Sequence, residues 1–159
     1  MDKLKYSIVI AIFALLGFQK TEFTSHGIEN TQKNVNDTLT WKKLGQIKFI
    51  KKQHKDYGMV DFPLISPEVK IHNNKKVFIS GFIVPIDNVN YAVSKNVFAS
   101  CFFCGKAGPE TIMGIKFKAG KMKLRTDQYV TLSGILKVNE TDVDNWMYNI
   151  EDAVIVKGN

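Results

Sequence analysis

Three segments of the chain combine strand-forming residues with a central glycine, and this pattern restricts the fold more than any other feature. They are residues 77–86 (VFISGFIVPI), 111–117 (TIMGIKF) and 129–138 (YVTLSGILKV). Their β-branched and aromatic residues favour strands, and a glycine inside a strand marks a bulge or a sharp bend. Strands that close into a small barrel need such bends. The pattern therefore predicts an all-β fold built as a small barrel.

Further segments add strands to this prediction. Residues 91–99 (YAVSKNVFA) and 146–156 (WMYNIEDAVIV) are rich in strand-forming residues, and the mixed period of residues 41–50 (WKKLGQIKFI) is interpreted as a strand. No amphipathic helix pattern follows residue 40. About five to six short strands, one of them long and bent, favour an OB-like small Greek-key barrel, with a β-sandwich as the alternative.

Two prolines distinguish the segment between these strands. Residues 60–69 (VDFPLISPEV) contain Pro63 and Pro67. Proline lacks a backbone N–H, so a central strand and a helix interior are both excluded here. We expect an extended arm or a short element rich in turns.

The amino-terminal residues have the pattern of a secretory signal. Lys3 and Lys5 precede an uninterrupted apolar run over residues 6–18. This run is shorter than the ~20 residues that span a bilayer and has the length of a signal-peptide core. We therefore predict a signal peptide at residues 1–19, with an uncleaved anchor as the alternative.

A polar segment separates this signal from the folded part. Residues 20–40 are rich in Asn and Thr and hold few apolar side chains, which predicts a flexible linker. The barrel domain then comprises residues 41–159. Whether the signal is cleaved or kept, the domain lies outside the cytoplasm, in the periplasm or cell envelope, or is secreted.

The chain is basic, with 22 Lys and Arg residues against 15 Asp and Glu residues and a formal net charge of +7. The lysines are dispersed, a distribution typical of a solvated surface. Export argues against nucleic acid as a partner. The sequence contains no Gly-x-Ser-x-Gly, phosphate-binding glycine loop or His-Glu-x-x-His motif. These observations favour a protein without catalytic activity.

Both cysteines of the chain lie within residues 98–111 (FASCFFCGKAGPET), where Cys101 and Cys104 are followed by Gly105. Side chains three positions apart face opposite sides of a regular strand, so a common role requires a turn between them. Gly105 favours such a turn. Two thiolates on one turn form half of a zinc site, or bind a soft ion such as Cu(I).

A metal site at this turn needs further ligands. Glu110 is our candidate for a third ligand to zinc or copper, together with Cys101 and Cys104. The other candidate ligands include two histidines, and we expect both to lie in exposed segments. These remaining candidates are His54, His72 and Asp87.

Two other interpretations of the cysteine pair stay open. Outside the cytoplasm, Cys101 and Cys104 can form a local disulfide, which stabilises little because the closed loop is short. The chain would then be a structural or adaptor module. Alternatively, the pair exchanges disulfides with other proteins, although the glycines and proline that follow disfavour the helix on which such cysteines usually lie.

A series of motifs runs along residues 40–156: WKKLG, DFPLISPEV, KKVFISGFIVPID, the cysteine segment, YVTLSGILKVN and MYNIEDAVI. In this order they resemble a bacterial domain family of unknown function found in secreted proteins and lipoproteins. The resemblance implies an OB-like barrel in the periplasm or at the cell surface. Some members accompany metal-uptake systems. Many members have Cys-x-His and a proline run where this chain has CFFCGKAGPE, so no site residue is transferred.

These observations together predict an exported, non-enzymatic OB-like domain that binds zinc or copper through the turn of Cys101 and Cys104. Its partner would be an envelope protein or a metal-transport complex. Membrane contact would occur only through an uncleaved amino-terminal segment.

Overall fold

The computed structural model describes residues 38–158. The predicted signal peptide (residues 1–19) and most of the predicted linker (residues 20–37) lie outside the described residues. Across the described range, no helix is both long and apolar enough to cross a membrane.

The described residues form seven strands, the last five of which close into a barrel. The strands are β1 (Ile47–His54), β2 (Gly58–Ile65), β3 (Lys76–Pro85), β4 (Tyr91–Ser94), β5 (Ile112–Phe117), β6 (Tyr129–Val138) and β7 (Tyr148–Gly158). Around the barrel the order is β3-β4-β5-β7-β6, and β6 pairs with β3. The β5–β7 pair is parallel and the others are antiparallel. The prediction of an all-β, OB-like small barrel is confirmed.

Two of the predicted glycine bends are places where barrel backbones approach closely. A Cβ on Gly81 would stand 2.5 Å from the carbonyl oxygen of Ser94 and 2.7 Å from Cγ2 of Val93. A Cβ on Gly134 would stand 2.6 Å from the carbonyl oxygen of Glu151, where the register between β6 and β7 shifts. A larger residue would push the strands apart at both positions.

Alternate residues of the barrel strands fill its interior. Along β3, Val77, Ile79 and Ile83 are buried, while Phe78, Ser80 and Phe82 between them are more exposed, as the two-residue period of a strand requires. Tyr148 on β7 is the largest fully buried side chain, and its hydroxyl donates a hydrogen bond to the carbonyl oxygen of Leu44 at 3.0 Å. The core therefore joins the barrel to the segment that precedes it.

Two short helices, α1 (Trp41–Leu44) and α2 (Pro67–Lys70), flank an antiparallel hairpin formed by β1 and β2. The strand predicted for residues 41–50 is wrong in its first half. Thr40 caps α1, because its hydroxyl accepts a hydrogen bond from the N–H of Lys43 at 3.3 Å, and the strand begins only at Ile47. The mixed period of this segment reflects a helix followed by a strand.

The predicted proline-containing arm is strand β2 followed by helix α2. Pro63 lies in β2, which pairs only with β1 in a two-stranded sheet, and Pro67 is the first residue of α2. Both positions tolerate a missing N–H. An edge strand pairs on one side only, and the N–H groups of the first helical turn have no partner within the helix.

The folded part begins before Trp41. Thr38 forms a β-bridge with Phe78, and the N–H of Leu39 donates to the carbonyl oxygen of Phe78 at 2.8 Å. Leu39 is also buried in the core. Residues 38–40, which we assigned to the linker, therefore belong to the domain because Leu39 adds an apolar side chain to the core.

Candidate functional site

Residues 95–111, the cysteine segment, connect β4 to β5 through turns. We predicted a strand up to residue 99, but β4 ends at Ser94, whose hydroxyl accepts a hydrogen bond from the N–H of Asn96 at 3.0 Å. Gly105, with a φ of 67°, ends the turn that follows Cys101. The turn that a common role of both cysteines requires is therefore present. The 3₁₀ turns of this segment are Phe98–Ser100, Phe102–Cys104 and Pro109–Thr111.

The two cysteines have different surroundings. Cys101 is completely buried and Cys104 is exposed, and both are free thiols. The thiol of Cys104 donates a hydrogen bond to the carbonyl oxygen of Phe98 at 3.2 Å. Solvent therefore reaches one sulfur of the pair and not the other.

Glu110 extends toward α1. A Cβ on Gly108 would collide with the Glu110 carboxylate, which therefore lies folded over the backbone of residue 108. Its Cγ is 4.0 Å from the place of a Cβ on Gly45, directly after α1. Burial raises the pKa of Tyr148 well above its usual range, and the negative charges of Glu110 and Glu140 raise it further. The charge of Glu110 thus acts on the buried phenol.

The predicted metal ligands do not form a group of three. Among residues 38–158, no three His, Cys, Asp or Glu side chains come close enough together to hold a metal ion. The structure keeps Cys101 and Cys104 on one turn but does not bring Glu110 to them as a third ligand.

The remaining candidate ligands lie apart from the cysteines. His54 accepts a hydrogen bond from the N–H of Asp56 at 3.2 Å, and its ring stacks on Tyr57 with centroids 5.1 Å apart. His72 is buried, with an exposure of 6%, so our expectation of an exposed histidine is wrong there. Asp87 accepts hydrogen bonds within its own turn after β3, and these lower the pKa of its carboxyl.

A groove of about 540 Å³ lies between the β1–β2 hairpin and the loop that connects β6 to β7. We call it the hairpin groove, and we call residues 139–147 the 139–147 loop. Apart from the 139–147 loop, most of the residues that line the hairpin groove are apolar or aromatic. The hairpin contributes Phe49, Val60, Asp61, Phe62 and Pro63, and the cysteine segment contributes Phe102 and Pro109.

The 139–147 loop is organised around the side chain of Asn139. Its oxygen accepts hydrogen bonds from the N–H groups of Thr141 and Asp142, at 3.1 and 2.9 Å. Its nitrogen donates to three carbonyl oxygens of the loop, including that of Trp146 at 3.2 Å. The side chain of Asn139 therefore bonds to the backbone at both ends of the loop.

Two carboxylates of the 139–147 loop bind the hairpin at its two ends. At the tip, the hydroxyl of Tyr57 donates to Asp144 at 2.7 Å. At the base, the N–H of Ile65 donates to Glu140 at 3.0 Å, and the Lys70 ammonium is 2.8 Å from the same carboxylate. A two-stranded hairpin is marginally stable alone, so contacts of this kind are needed to hold it against the domain.

The pKa values at both contacts shift as their hydrogen bonds require. The hydrogen bond to Asp144 raises the pKa of Tyr57, and the charge of that carboxylate raises it further. Burial alone would raise the pKa of Glu140, but hydrogen bonds from Lys70 and Ile65 and the charge of Lys70 lower it overall. At neutral pH the phenol is therefore protonated and Glu140 is ionised, as both contacts need.

The hairpin groove is acidic although the chain is basic. Asp61, Glu140, Asp142 and Asp144 line it, and none of its lining residues is Lys or Arg. Glu140 pairs with Lys70, and Asp61 is 3.8 Å from a lysine of β1. Within residues 38–158, neither Asp142 nor Asp144 forms an ion pair. Among the described residues, the loop therefore presents to this groove two carboxylates that have no ion-pair partner.

Aromatic contacts join the cysteine segment to the 139–147 loop. Phe103 packs edge-on against Trp146, with ring centroids 5.8 Å apart and planes at 90°. Phe102 packs against Phe103 at the same centroid distance. The residues between the two cysteines thus contact the wall of the groove.

A second groove, of about 510 Å³, is lined by residues of β4, β5, β6 and β7 and shares the 139–147 loop with the first. We call it the polar groove. The indole of Trp146 lies against the backbone of Gly114, where a Cβ would stand 2.5 Å from Cδ1 of the indole. Most of the side chains that line the polar groove are polar or charged. They include Asn90, Lys116, Lys137, Asn149 and Glu151.

The sequence indicated the cysteine segment but not the grooves. We predicted residues 140–145 only as an acidic turn, although Asn, Asp and Thr in such numbers are typical of a loop held by its own side chains. The contact between this loop and the hairpin joins residues that are far apart in the chain, such as Tyr57 and Asp144. No local sequence pattern predicts a contact between residues so far apart in the chain.

Comparison with known proteins gives one similar structure. No protein-family model matches the chain, and no curated protein matches it. Among solved structures, it is similar to a DUF3299 family protein from Pseudomonas aeruginosa PAO1, with 14% sequence identity and a TM-score of 0.43. The similarity covers 60% of this chain and 65% of that protein, so less than two thirds of that protein's length is matched. A bacterial DUF3299 protein is thus a structural neighbour, and the signal peptide and motifs of the predicted family stay predictions.

Proposed function

We propose that this chain is a binding module without catalytic activity and that the hairpin groove is its ligand site. One observation carries the proposal: aromatic walls and four carboxylates meet in this groove, and no basic residue lines it. A complementary ligand presents apolar side chains to the walls and positive charges to the carboxylates.

The ligand that we propose is a basic segment of a partner protein, with aromatic or aliphatic side chains between its lysines or arginines. Strands β1 and β2 form a two-stranded sheet, so within the described residues each has one edge that pairs with no other strand. An extended peptide can bond to the N–H and C=O groups of such an edge while its side chains fill the groove. This supports the adaptor function that we considered for an exported domain.

Three labelled peptides of equal length test this proposal by fluorescence anisotropy. The first alternates Lys with Phe and Leu, the second replaces each Lys by Glu, and the third replaces each Phe and Leu by Ser. We expect only the first to bind, and we expect its affinity to fall as salt concentration rises. Equal affinity for the Lys and Glu peptides would overturn the proposed charge recognition.

Variants of the full chain then locate the site. The double variant Asp142→Asn with Asp144→Asn keeps the oxygen that accepts from Tyr57 and removes both uncompensated charges. We expect it to bind the Lys peptide about tenfold more weakly. Asp152→Asn is the matched control, since Asp152 lines neither groove. Unchanged affinity in the double variant, or an equal loss in the control, would place the peptide elsewhere.

A second candidate function is the binding of zinc or copper through Cys101 and Cys104. It is supported by the position of both sulfurs on one turn, where no disulfide joins them. Such binding requires the buried Cys101 sulfur to turn outward and a further ligand to approach. Metal content of the purified protein tests it, and unchanged content after Cys101→Ser with Cys104→Ser would exclude this turn. A disulfide between Cys101 and Cys104 in protein purified without reductant would instead support the staple or thiol–disulfide alternatives.

We also propose that the domain works outside the cytoplasm, on the strength of the signal pattern in residues 1–19. The partner would then be a protein of the cell envelope. Fractionation of cells and mass measurement of the mature amino terminus test this location. Full-length protein recovered in the cytoplasmic fraction would overturn it.

A further inference from the structure

We propose that the polar groove binds a neutral oligosaccharide, with Trp146 as the side chain against which a sugar ring packs. This site differs from the proposed peptide site, although Asn139, Asp142, Asn145 and Trp146 line both grooves. The proposal rests on the indole, the side-chain amides and the charge balance of the polar groove, and each is argued in turn.

Trp146 offers an apolar ring and an indole N–H that has no acceptor among the described residues, and its Nε1 lies 3.0 Å from the place of a Cβ on Gly114. It is half-buried and is held on one side by the backbone of Gly114 and edge-on by Phe103. Within residues 38–158 its indole N–H donates to no protein acceptor, whereas that of Trp41 donates to the carbonyl oxygen of Ser80 at 2.8 Å. A sugar has apolar C–H groups for the ring and hydroxyl oxygens for the N–H.

The amides around the indole present donors and acceptors to the same groove. The Asn149 nitrogen donates to the Asn145 side-chain oxygen at 3.4 Å and to the Trp146 carbonyl oxygen at 3.2 Å. The Asn90 nitrogen donates to Asp87 at 2.7 Å. In the described part of the chain this leaves the side-chain oxygen of Asn90 and the side-chain nitrogen of Asn145 without a protein partner, while the Asn149 oxygen lies against Gly114, 2.5 Å from the place of a Cβ there. Hydroxyl groups, which both donate and accept, match such a mixed set.

The charges of the polar groove balance, which separates a sugar from a nucleic acid. The charged lining residues are Lys116, Lys137, Asp142 and Glu151, two of each sign. The Glu151 carboxylate lies 4.0 Å from the Lys116 ammonium and 3.9 Å from that of Lys137. Nucleic-acid binding depends on uncompensated Lys and Arg that replace counterions at phosphates. The charge balance of the polar groove therefore favours an uncharged ligand over a nucleic acid.

The two indole N–H signals of the full chain provide the test, because the sequence contains only two tryptophans. Nitrogen-15-labelled protein is titrated with cellotetraose, maltotetraose and chitotetraose, each to roughly 10 mM, and separately with a thymidine hexanucleotide. We expect at least one saccharide to move the Trp146 signal along a saturating curve while the Trp41 signal stays in place. The hexanucleotide should move neither signal.

Variants then test the contacts. Trp146→Phe keeps a ring, loses the N–H and identifies its signal by removing it. We expect this variant and Asn149→Ala each to weaken saccharide binding about fivefold to tenfold, measured by calorimetry. Asn88→Ala is the matched control, because Asn88 is exposed, close to Asn90 and outside the groove lining. The Trp41 signal shows that each variant is folded.

Three results would overturn the proposal: a Trp146 signal unmoved by all three saccharides, tighter binding of the hexanucleotide, or equal loss of binding in the Asn88→Ala control. Asp61→Asn keeps the two sites distinguishable, since Asp61 lines only the hairpin groove. We expect this variant to weaken binding of the Lys peptide and to leave saccharide binding unchanged.

Discussion

The hydroxyl of Tyr57 donates a hydrogen bond of 2.7 Å to the carboxylate of Asp144, which lies 87 positions later in the chain. Tyr57 is at the tip of the hairpin and Asp144 is in the 139–147 loop, so this one bond joins the hairpin tip to the loop that lines the hairpin groove. The contact at the other end, between Ile65 and Glu140, belongs to the base of the hairpin. The two ends of the hairpin therefore have separate attachments, and each can be removed by itself.

Tyr57→Phe removes the attachment at the tip. We expect faster amide hydrogen exchange at residues 54–58 and unchanged exchange in the barrel strands, because the base contact of Glu140 remains. Hydrogen exchange followed by mass spectrometry measures this. Tyr129→Phe is the control, since Tyr129 is also exposed and has no hydrogen bond to its hydroxyl within the described residues. Equal exchange at the tip in both variants would show that the bond to Asp144 does not hold the hairpin.

Tyr148 makes the stability of the domain sensitive to alkaline pH. Its ordinary pKa is 10.0, and burial together with the charges of Glu110 and Glu140 raises the pKa in the folded state. A raised folded pKa means that the stabilisation is complete below pH 10 and is lost as pH rises toward the folded value. We expect the free energy of unfolding to fall by up to about 1.4 kcal/mol per pH unit in this window.

The variant Tyr148→Phe separates this effect from general alkaline denaturation. It leaves the Leu44 carbonyl without its donor, so we expect a loss of about 1–2 kcal/mol at neutral pH and a shallower decline above pH 10. Urea unfolding at several pH values measures both. A decline as steep as that of the unmodified chain would mean that other groups control the alkaline transition.

Asn139→Ala removes the side chain around which the 139–147 loop is built. We expect a loss of about 1–3 kcal/mol in the free energy of unfolding, because several backbone groups lose their partner at once. Urea denaturation with an unchanged m-value measures it. Thr141→Ala, an exposed change in the same loop, should be nearly neutral. Equal stability of the two variants would contradict the central role of Asn139.

The two thiols should differ in reactivity. Cys104 is exposed and Cys101 is completely buried, so N-ethylmaleimide should add one group to the native chain, at Cys104, and a second only in denaturant. Mass spectrometry of the intact and digested protein counts and locates the groups. Cys104→Ser should react only in denaturant. Rapid double labelling of the native chain would mean that the turn opens readily.

Prediction of the fold from the sequence succeeded where a structural signal is local. Strand β6 was predicted with its observed bounds, Tyr129–Val138, because its apolar residues alternate around Gly134. The first helix was missed, because α1 has only four residues. The spacing of the apolar residues in so short a segment fits a strand as well as a helix. The parallel pairing of β5 with β7 depends on barrel closure, which no single segment encodes.

Prediction of the candidate site was limited for the same reason. The spacing of Cys101 and Cys104 predicted a turn, and the turn exists. Which sulfur is buried depends on the packing of the cysteine segment, so the difference in exposure could not be read from the spacing. Neither groove could be predicted, because their walls join the 139–147 loop to elements that lie far away in the sequence.

Four residues of the 139–147 loop, Asn139, Asp142, Asn145 and Trp146, line both grooves. Any shift of these side chains on binding in one groove would therefore change the wall of the other. Binding free energies are reciprocal, so whatever factor one occupant applies to the affinity of the second is returned to it unchanged. If both proposed ligands bind, they meet at the same four side chains, and this shared wall would provide the physical route for heterotropic coupling between them.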